Sequence, residues 1–170
     1  MNKLKILTFA AVAALVLFAC KKEEEPKPEQ PIIKVTDKTY AGKITVVLNG
    51  DSSISDLDIQ VITDTSKTDS VVLFFRQVKF VPAMPGMDIK IPVTSSAQVY
   101  PAVLSGTGVT PYLVAGTVDT PFPSFRVDNI QGIVTNDSLK VAMDFFAVKA
   151  MGTIAQGSVT PTSFAGAVKK

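Results

Sequence analysis

The sequence contains no histidine and no tryptophan, and it has a single cysteine, Cys20. The lack of histidine excludes Ser-His-Asp and Cys-His catalysis, histidine-based zinc sites and the usual general base at neutral pH. One cysteine cannot form an intramolecular disulfide, so the stability of the folded chain must come from its core. The sequence therefore predicts a protein that is not an enzyme and that uses no cofactor and no metal.

Glutamate is absent after Glu29, so a glycosidase-like pair of carboxylates would have to come from aspartates. The closest group is Asp51, Asp56 and Asp58. The segment 51–58 has only a faint likeness to a calcium loop, because it lacks the sixth-position glycine and the terminal glutamate. We interpret it as a solvated turn.

The charge of the chain gives no basis for nucleic-acid binding. There are 17 lysine and arginine residues against 15 aspartate and glutamate residues. Lys3 and Lys5 lie in the N-terminal leader described next, and the two signs balance in the rest of the chain. A protein that binds nucleic acid usually has a clear excess of basic residues. We therefore predict no nucleic-acid partner.

The N-terminus has the order of a bacterial lipoprotein signal peptide. A positive segment, Asn2 to Lys5, is followed by an apolar run from Ile6 to Ala19, and Leu17-Phe18-Ala19-Cys20 has the pattern of a lipobox. The run is shorter than the roughly 20 apolar residues of a membrane-spanning helix, and charged residues follow it directly. We predict that residues 1–19 are a signal peptide and that Cys20 carries a lipid that attaches the protein to a membrane.

Residues 20–37 are predicted to be a disordered tether. Positions 21–31 alternate in charge, contain three prolines and have no apolar side chain to bury. The residues after Cys20 resemble the surface-export signal of Bacteroidota lipoproteins, in which a lysine and two acidic residues follow the lipidated cysteine, here Lys22, Glu23 and Glu24. That resemblance implies an outer-membrane protein facing the cell exterior, whereas composition alone would also suit a plain solvated spacer.

From about residue 38 the sequence alternates between apolar and polar residues, as half-buried strands do. The first such strand ends at Asn49-Gly50, a hairpin turn, and the Asn136-Asp137 pair predicts another. Prolines between residues 82 and 123 predict bends and short strands, and Gly157 and Pro161 are expected to break the last segment. The alternation places one set of side chains in a common core: Ile44, Val46, Ile59, Val61, Val141, Met143 and Phe145. Lys43, Gln60 and Lys140 are expected to face outward.

No part of residues 38–170 has a helical stripe of apolar residues, and strong helix formers are scarce. Several short alternating strands at a spacing of about 8–12 residues are typical of antiparallel barrels and sandwiches. The sequence therefore predicts an all-β domain over 38–170, an antiparallel β-barrel of about eight strands, with a β-sandwich as the alternative.

Four segments together resemble the calycin-like, lipocalin-type barrel lipoproteins of the Bacteroidota. They are the opening strand Tyr40–Ile44, the segment Gly132–Val134, the alternating strand 139–147, and Phe164–Gly166, which is similar to the aromatic-glycine end of the last strand in that family. All follow a lipoprotein signal and a charged, proline-bearing tether. The resemblance implies an antiparallel calycin-like barrel of about eight strands, and it implies the fold more strongly than any activity.

A barrel of this kind has two possible uses. As a non-catalytic binding module it would hold a small apolar or amphiphilic ligand, or a glycan, in its interior. As a structural or interaction protein it would have a filled barrel whose loops contact another envelope component or a host surface. A cavity of about 300 Å³ or more would favour the first, and a filled interior the second. The sequence leaves the oligomeric state open.

Six residues are candidates for a ligand site in the interior. Strict alternation along 72–80 would point the Arg76 guanidinium inward, where it could bind a carboxylate or sulfate; a bulge near Arg76, or a structural pair with an aspartate, is the alternative. Aromatic side chains could line an apolar pocket or could simply be core. The other five candidates are Phe74, Phe80, Phe125, Arg126 and Phe145.

Overall fold

The computed structural model describes residues 37–64, 67–81, 84–96, 100–115 and 118–170. The predicted signal peptide, Cys20, and the proposed export residues Lys22, Glu23 and Glu24 lie outside the described residues. In the described part of the chain we find no helix that could cross a membrane. Its ten strands are β1 Lys38–Leu48, β2 Asp51–Thr63, β3 Ser70–Val78, β4 Met87–Ser95, β5 Ala102–Gly106, β6 Tyr112–Ala115, β7 Val118–Pro121, β8 Phe125–Val134, β9 Ser138–Ala147 and β10 Val159–Val168.

Eight of these strands close into an antiparallel β-barrel, which confirms the predicted fold class. Around the barrel the order is β1, β2, β3, β4, β5, β8, β9 and β10, and β10 pairs with β1 again. The short β6–β7 hairpin pairs with β4 beside β5. The sandwich alternative is wrong, because the hydrogen-bonded ladder of these eight strands returns to its first strand and forms one closed sheet.

The first hairpin has the turn that its sequence predicts. Asn49 and Gly50 both have positive φ, 52° and 90°, as a two-residue turn between twisted antiparallel strands requires. The turn between β8 and β9 is held differently, because the Thr135 hydroxyl accepts hydrogen bonds from the backbone N–H groups of Asp137 and Ser138, at 3.2 and 2.9 Å. Turn chemistry and side-chain alternation therefore agree on where these strands begin and end.

Every residue predicted to face the core is buried, with 4% exposure or less in each case. Lys43 and Lys140 are exposed, and Gln60 is partly buried on the outer side. The predicted faces of β1, β2 and β9 are therefore confirmed. The interior of the barrel is the hydrophobic core, to which every barrel strand contributes.

Two local predictions are wrong. The segment 51–58 is not a solvated turn but the first half of β2, paired with β1 from Leu48↔Asp51 onward. Pro161 lies within β10 and does not break it. A proline is tolerated there because β1 pairs with β10 only as far as Thr162, so Pro161 has a neighbouring strand, β9, on one side only.

The seam between the first and last strands depends on two glycines that face each other, Gly42 and Gly166. A Cβ on Gly42 would overlap the carbonyl oxygen of Ala165, so the backbones approach too closely there for any larger residue. The Phe164 ring lies over Gly166 and fills the space that a side chain would have used. The segment 164–166 is therefore a continuous part of the strand that closes the barrel.

Candidate functional site

Three of the six candidate residues meet at one end of the barrel interior. The Phe80 ring centroid lies 4.6 Å from that of Phe145 and 5.2 Å from that of Phe125, in tilted or edge-on contacts. Phe122 extends the cluster, 5.3 Å from Phe125. Phe80, Phe125 and Phe145 are 2% exposed or less. These rings pack against each other as a core does, so they close this end of the barrel.

The other end, where β1 begins, is closed by a polar cluster. The fully buried Tyr40 donates a hydrogen bond from its hydroxyl to the Thr135 carbonyl oxygen at 2.8 Å, and its oxygen lies 3.3 Å from the Tyr100 hydroxyl. Burial, and next the hydrogen bond with Tyr100, raise the pKa of Tyr40 well above its ordinary value. The Lys38 ammonium lies over the Tyr100 ring at 5.2 Å. Tyr40 therefore stays neutral, and its hydrogen bonds hold this end of the barrel closed.

Between the two ends the inward side chains form one cluster of buried apolar residues. The polar exceptions include two inward threonines of β10: the Thr162 hydroxyl donates to the Thr160 carbonyl oxygen at 3.2 Å, and the buried Thr160 hydroxyl has no hydrogen-bond partner. A lone hydroxyl among apolar side chains gives a ligand little to recognise. The interior is thus filled by the protein's own side chains, as expected of small barrels.

Phe74 and Arg76 lie on the outer surface of the barrel and not in its interior. The Arg76 guanidinium stacks 4.7 Å from the Phe74 ring centroid and donates a hydrogen bond to the Gln60 side-chain oxygen at 3.2 Å. The Lys90 ammonium lies 5.5 Å from the same ring. The two cations cover Phe74, which is only 8% exposed. This arrangement protects an outward phenylalanine and offers no anion site inside.

A β-bulge at Arg76 and Gln77 reverses which residues of β3 face inward. Arg76 and Gln77 together lie opposite one residue of β4, Asp88, so the register of β3 shifts by one residue between Phe75 and Val78. Gln77 adopts a positive φ of 55°. Before the bulge the odd-numbered residues face inward, and after it the even-numbered Val78 does. The inward orientation of Arg76 is therefore wrong, and the bulge that was its alternative is present.

Arg126 also faces outward, because its neighbour Phe125 faces inward and successive residues of a strand point to opposite sides. Its guanidinium stacks 4.6 Å from the Phe146 ring centroid and pairs with Asp128 at 2.8 Å. Asp128 also accepts a hydrogen bond from the Gly108 N–H at 2.7 Å. That bond, and next the bond from Arg126, hold the pKa of Asp128 below its usual value. This network attaches the turn at residue 108 to β8.

Two of the three aspartates of β2 belong to surface ion pairs. Asp56 pairs with Lys43 at 3.0 Å and Asp58 pairs with Lys169 at 2.7 Å. Within the described ranges no three acidic or cysteine side chains come together as metal ligands would. These pairs are exposed, and exposed ion pairs contribute about 0–1 kcal/mol to stability.

The structure places clefts of about 320 to 580 Å³ on the outside of the barrel. Two are shallow grooves across the outer face of β8, β9, β10 and β1. A third lies along β4 beside β5 and β6. The fourth, of about 420 Å³, separates the first half of β2 from the end of β3; we call it the β2–β3 cleft, lined by residues 53–57, 77–79 and 81. Sequence reasoning missed it, because the segment 51–58 is interpreted from its sequence as a turn and not as a strand with a free edge.

Comparison of the chain with protein-family models, with curated proteins and with solved structures finds no match.

Proposed function

We propose that this protein is a lipid-anchored, non-catalytic interaction protein of the outer membrane, displayed at the cell exterior, whose filled barrel presents its outer surface to another envelope component or a host surface. The observation that carries the proposal is the mutual packing of Phe80, Phe125 and Phe145. These are the candidate residues that do face inward, and they contact each other where a ligand would have to bind. Of the two uses of such a barrel, the interaction role therefore has the stronger support.

The location rests on the sequence. The order of positive segment, apolar run and Cys20 supports lipid attachment, and Lys22, Glu23 and Glu24 support display at the cell surface. A tether of the length of residues 20–37 could extend by about 3.3–3.6 Å per residue, which would let the domain stand off from the lipid surface. The closed antiparallel barrel is the fold that the resemblance to calycin-like lipoproteins implies.

Tryptophan fluorescence can separate an interaction scaffold from a ligand carrier, because the chain has no tryptophan of its own. Phe145→Trp and Phe80→Trp each place one reporter in the interior, and Ile133→Trp places a control on the outer face, where Ile133 is 41% exposed. The full chain, purified in nonionic detergent, is titrated with a dibrominated fatty acid, which quenches tryptophan on contact.

We expect quenching of the Ile133→Trp control and none of the two interior reporters. Saturable quenching of both interior reporters at one fatty acid per chain would show that the barrel takes a ligand, and would overturn the proposal in favour of the binding module.

A further inference from the structure

The β2–β3 cleft exposes a free strand edge in the wall of the barrel. β2 pairs with β1 from Asp51 to Val61, but its pairing with β3 covers only Ile59 to Thr63. The stretch 51–58 therefore has a partner strand on one side only. Along an antiparallel strand the backbone N–H and C=O groups of successive residues point to alternate sides, so about half of those in this stretch face the cleft. These are the groups that recognise another strand.

The opening is built into the fold and is not a frayed strand end. The bulge at Arg76 and Gln77 turns β3 toward β4, where Val78 pairs with Met87, and the ladder with β2 stops at Phe75. Asp88 accepts two hydrogen bonds from Gln77. Gly86 packs so closely against Gln77 that a Cβ on residue 86 would overlap the Gln77 side chain. The divergence of β2 and β3 therefore has specific contacts that maintain it.

The free edge lacks several features that usually block strand addition. Exposed edges are commonly protected by lysine, by proline or by a bulge on the edge strand itself. The stretch 51–58 has none of these; it carries three aspartates, Asp51, Asp56 and Asp58, but the four consecutive residues Ser52 to Ser55 are uncharged. Ile54, in the middle, is 64% exposed. An edge with four consecutive uncharged residues and one exposed aliphatic side chain favours pairing with another strand.

The cleft has room for a short part of one strand. A strand occupies about 4.8 Å of sheet width, about 10 Å of thickness and about 3.3 Å of length per residue, or roughly 160 Å³ per residue. The cleft of about 420 Å³ thus corresponds to about two to three residues of one strand. The β2 edge of a second copy does not enter, because β1 lies beside it and residues 77–81 form the opposite wall of the cleft.

We infer that the β2–β3 cleft is a docking site for an extended segment of a partner protein, which adds to β2 as an antiparallel strand. The inference rests on the proposed interaction function and names the site and the kind of partner. In the docked segment, the residue that lies between Leu57 and Val78 would face the core, so we expect it to be aliphatic. Its outward neighbours lie beside Ile54 and the ion-paired Asp56, so they are neutral and β-branched, of which threonine is the clearest case.

The test uses a synthetic peptide of that pattern, acetyl-Lys-Thr-Val-Thr-Val-Thr-Lys-amide, and its fully N-methylated form, which keeps the side chains but cannot donate backbone hydrogen bonds. Each carries a fluorophore and is titrated against the full chain in nonionic detergent by anisotropy. Backbone hydrogen exchange is followed by mass spectrometry. We expect saturable binding of the first peptide, binding at least tenfold weaker for the N-methylated one, and at least tenfold slower exchange within residues 53–57.

Two exposed serines provide matched variants. Ser53 lines the cleft and Ser52 does not, so Ser53→Trp should weaken peptide binding at least tenfold while Ser52→Trp leaves it unchanged. Equal binding of both peptides, an equal effect of the two variants, or protection only outside residues 53–57 would overturn the inference. Slow hydrogen exchange of residues 53–57 in the absence of peptide would also overturn it. If the exchange becomes slower as the protein concentration rises, the occupant is a second copy; if it does not depend on concentration, the occupant is a segment of the same chain.

Failure here is distinguishable from failure of the proposed function. The brominated fatty acid reports on the barrel interior, whereas the peptides report on its wall. An absence of peptide binding together with unquenched interior tryptophans removes the docking site and leaves the interaction scaffold in place.

Discussion

One carboxylate oxygen of Asp88 accepts two hydrogen bonds from Gln77, one from its backbone N–H and one from its side-chain amide, each at 2.8 Å. Gln77 needs such support because its φ of 55° is left-handed, a conformation that costs a residue with a side chain about 1–2 kcal/mol. The two hydrogen bonds offset that cost at the residue where β3 leaves β2. The inward position of Val78 and the β2–β3 cleft both follow from this contact.

We predict that Asp88→Ala lowers the free energy of unfolding by about 1–3 kcal/mol, because Gln77 loses a charged acceptor for two donors. Adding Gln77→Gly to that variant should recover part of the loss, since glycine adopts positive φ without strain. Urea unfolding measures both. A loss below about 0.5 kcal/mol for Asp88→Ala, the usual range of a surface change, would mean that another contact holds the bulge.

Phe145→Ala should reduce stability by about 3–5 kcal/mol, because it leaves a cavity next to Phe80 and Phe125. Lys140→Ala is the matched control on the outer face of the same strand, and we expect it to stay within about 0.5 kcal/mol of the original chain. Asp144 is a poorer control, because it accepts a hydrogen bond from Asn129 at 2.7 Å. Similar losses for Phe145→Ala and Lys140→Ala in urea unfolding would contradict the inward and outward faces of β9.

The network around Asp128 predicts a stability that depends on pH. The folded-state pKa of Asp128 lies below its unfolded value of about 3.9, chiefly through the Gly108 N–H, so its contribution is present above that unfolded pKa and is lost as pH falls through the folded pKa. Asp128→Asn should therefore be less stable at pH 7, by about 1–3 kcal/mol, and this deficit should shrink below about pH 4. Urea unfolding across this range tests it; a deficit that is constant with pH would show that the charge plays no part.

Lipid attachment predicts a mature chain that begins at Cys20. Intact-mass analysis of protein extracted from membranes should show that residues 1–19 are missing and that the mass includes an added lipid. Cys20→Ala should lose both the added mass and membrane retention. A chain that still begins at Met1, or a Cys20→Ala variant that stays in the membrane fraction, would contradict the prediction.

Surface display predicts a separate effect of the residues behind the lipid. Replacing Lys22, Glu23 and Glu24 with alanine should leave the protein lipidated but protected from protease added to intact cells, because the export signal is lost. The original chain should be cleaved under the same conditions. If protease reaches both proteins equally, these residues are only part of a spacer.

The faces of β1, β9 and the second half of β2 could be predicted because one side of each strand is apolar and the other is polar. The face of β3 could not be predicted in this way. Residues 71–75 are apolar on both sides, since outward Phe74 is covered by Arg76 and Lys90, and the alternation there has no contrast. The bulge is held by Asp88 of the next strand. It therefore depends on a contact between two strands, which the β3 sequence alone does not reveal.

The candidate site was only partly predictable for the same reason. Phe80, Phe125 and Phe145 were placed in the interior, but the sequence does not give the distances between their rings, and these show that they pack together. Phe125 and Arg126 are adjacent on one strand, so alternation alone excludes that both face inward. The free edge of β2 was hidden because an exposed polar strand such as Asp51–Asp56 has the composition of a turn.

The pairing of β1 with β10, from Tyr40↔Val168 to Val46↔Thr162, joins the first strand of the barrel to the last. The hairpins β1–β2 and β9–β10 can form early because each connects neighbouring segments of the chain. The pairing of β1 with β10 can form only after the whole domain is available to fold. Such a long-range pairing makes folding slower than local contacts would, and it leaves β1 without its second neighbour until then. The proposed lipoprotein would cross a membrane unfolded and would gain from this order of events, since the first strand cannot complete its sheet before the last residues of the domain have followed it.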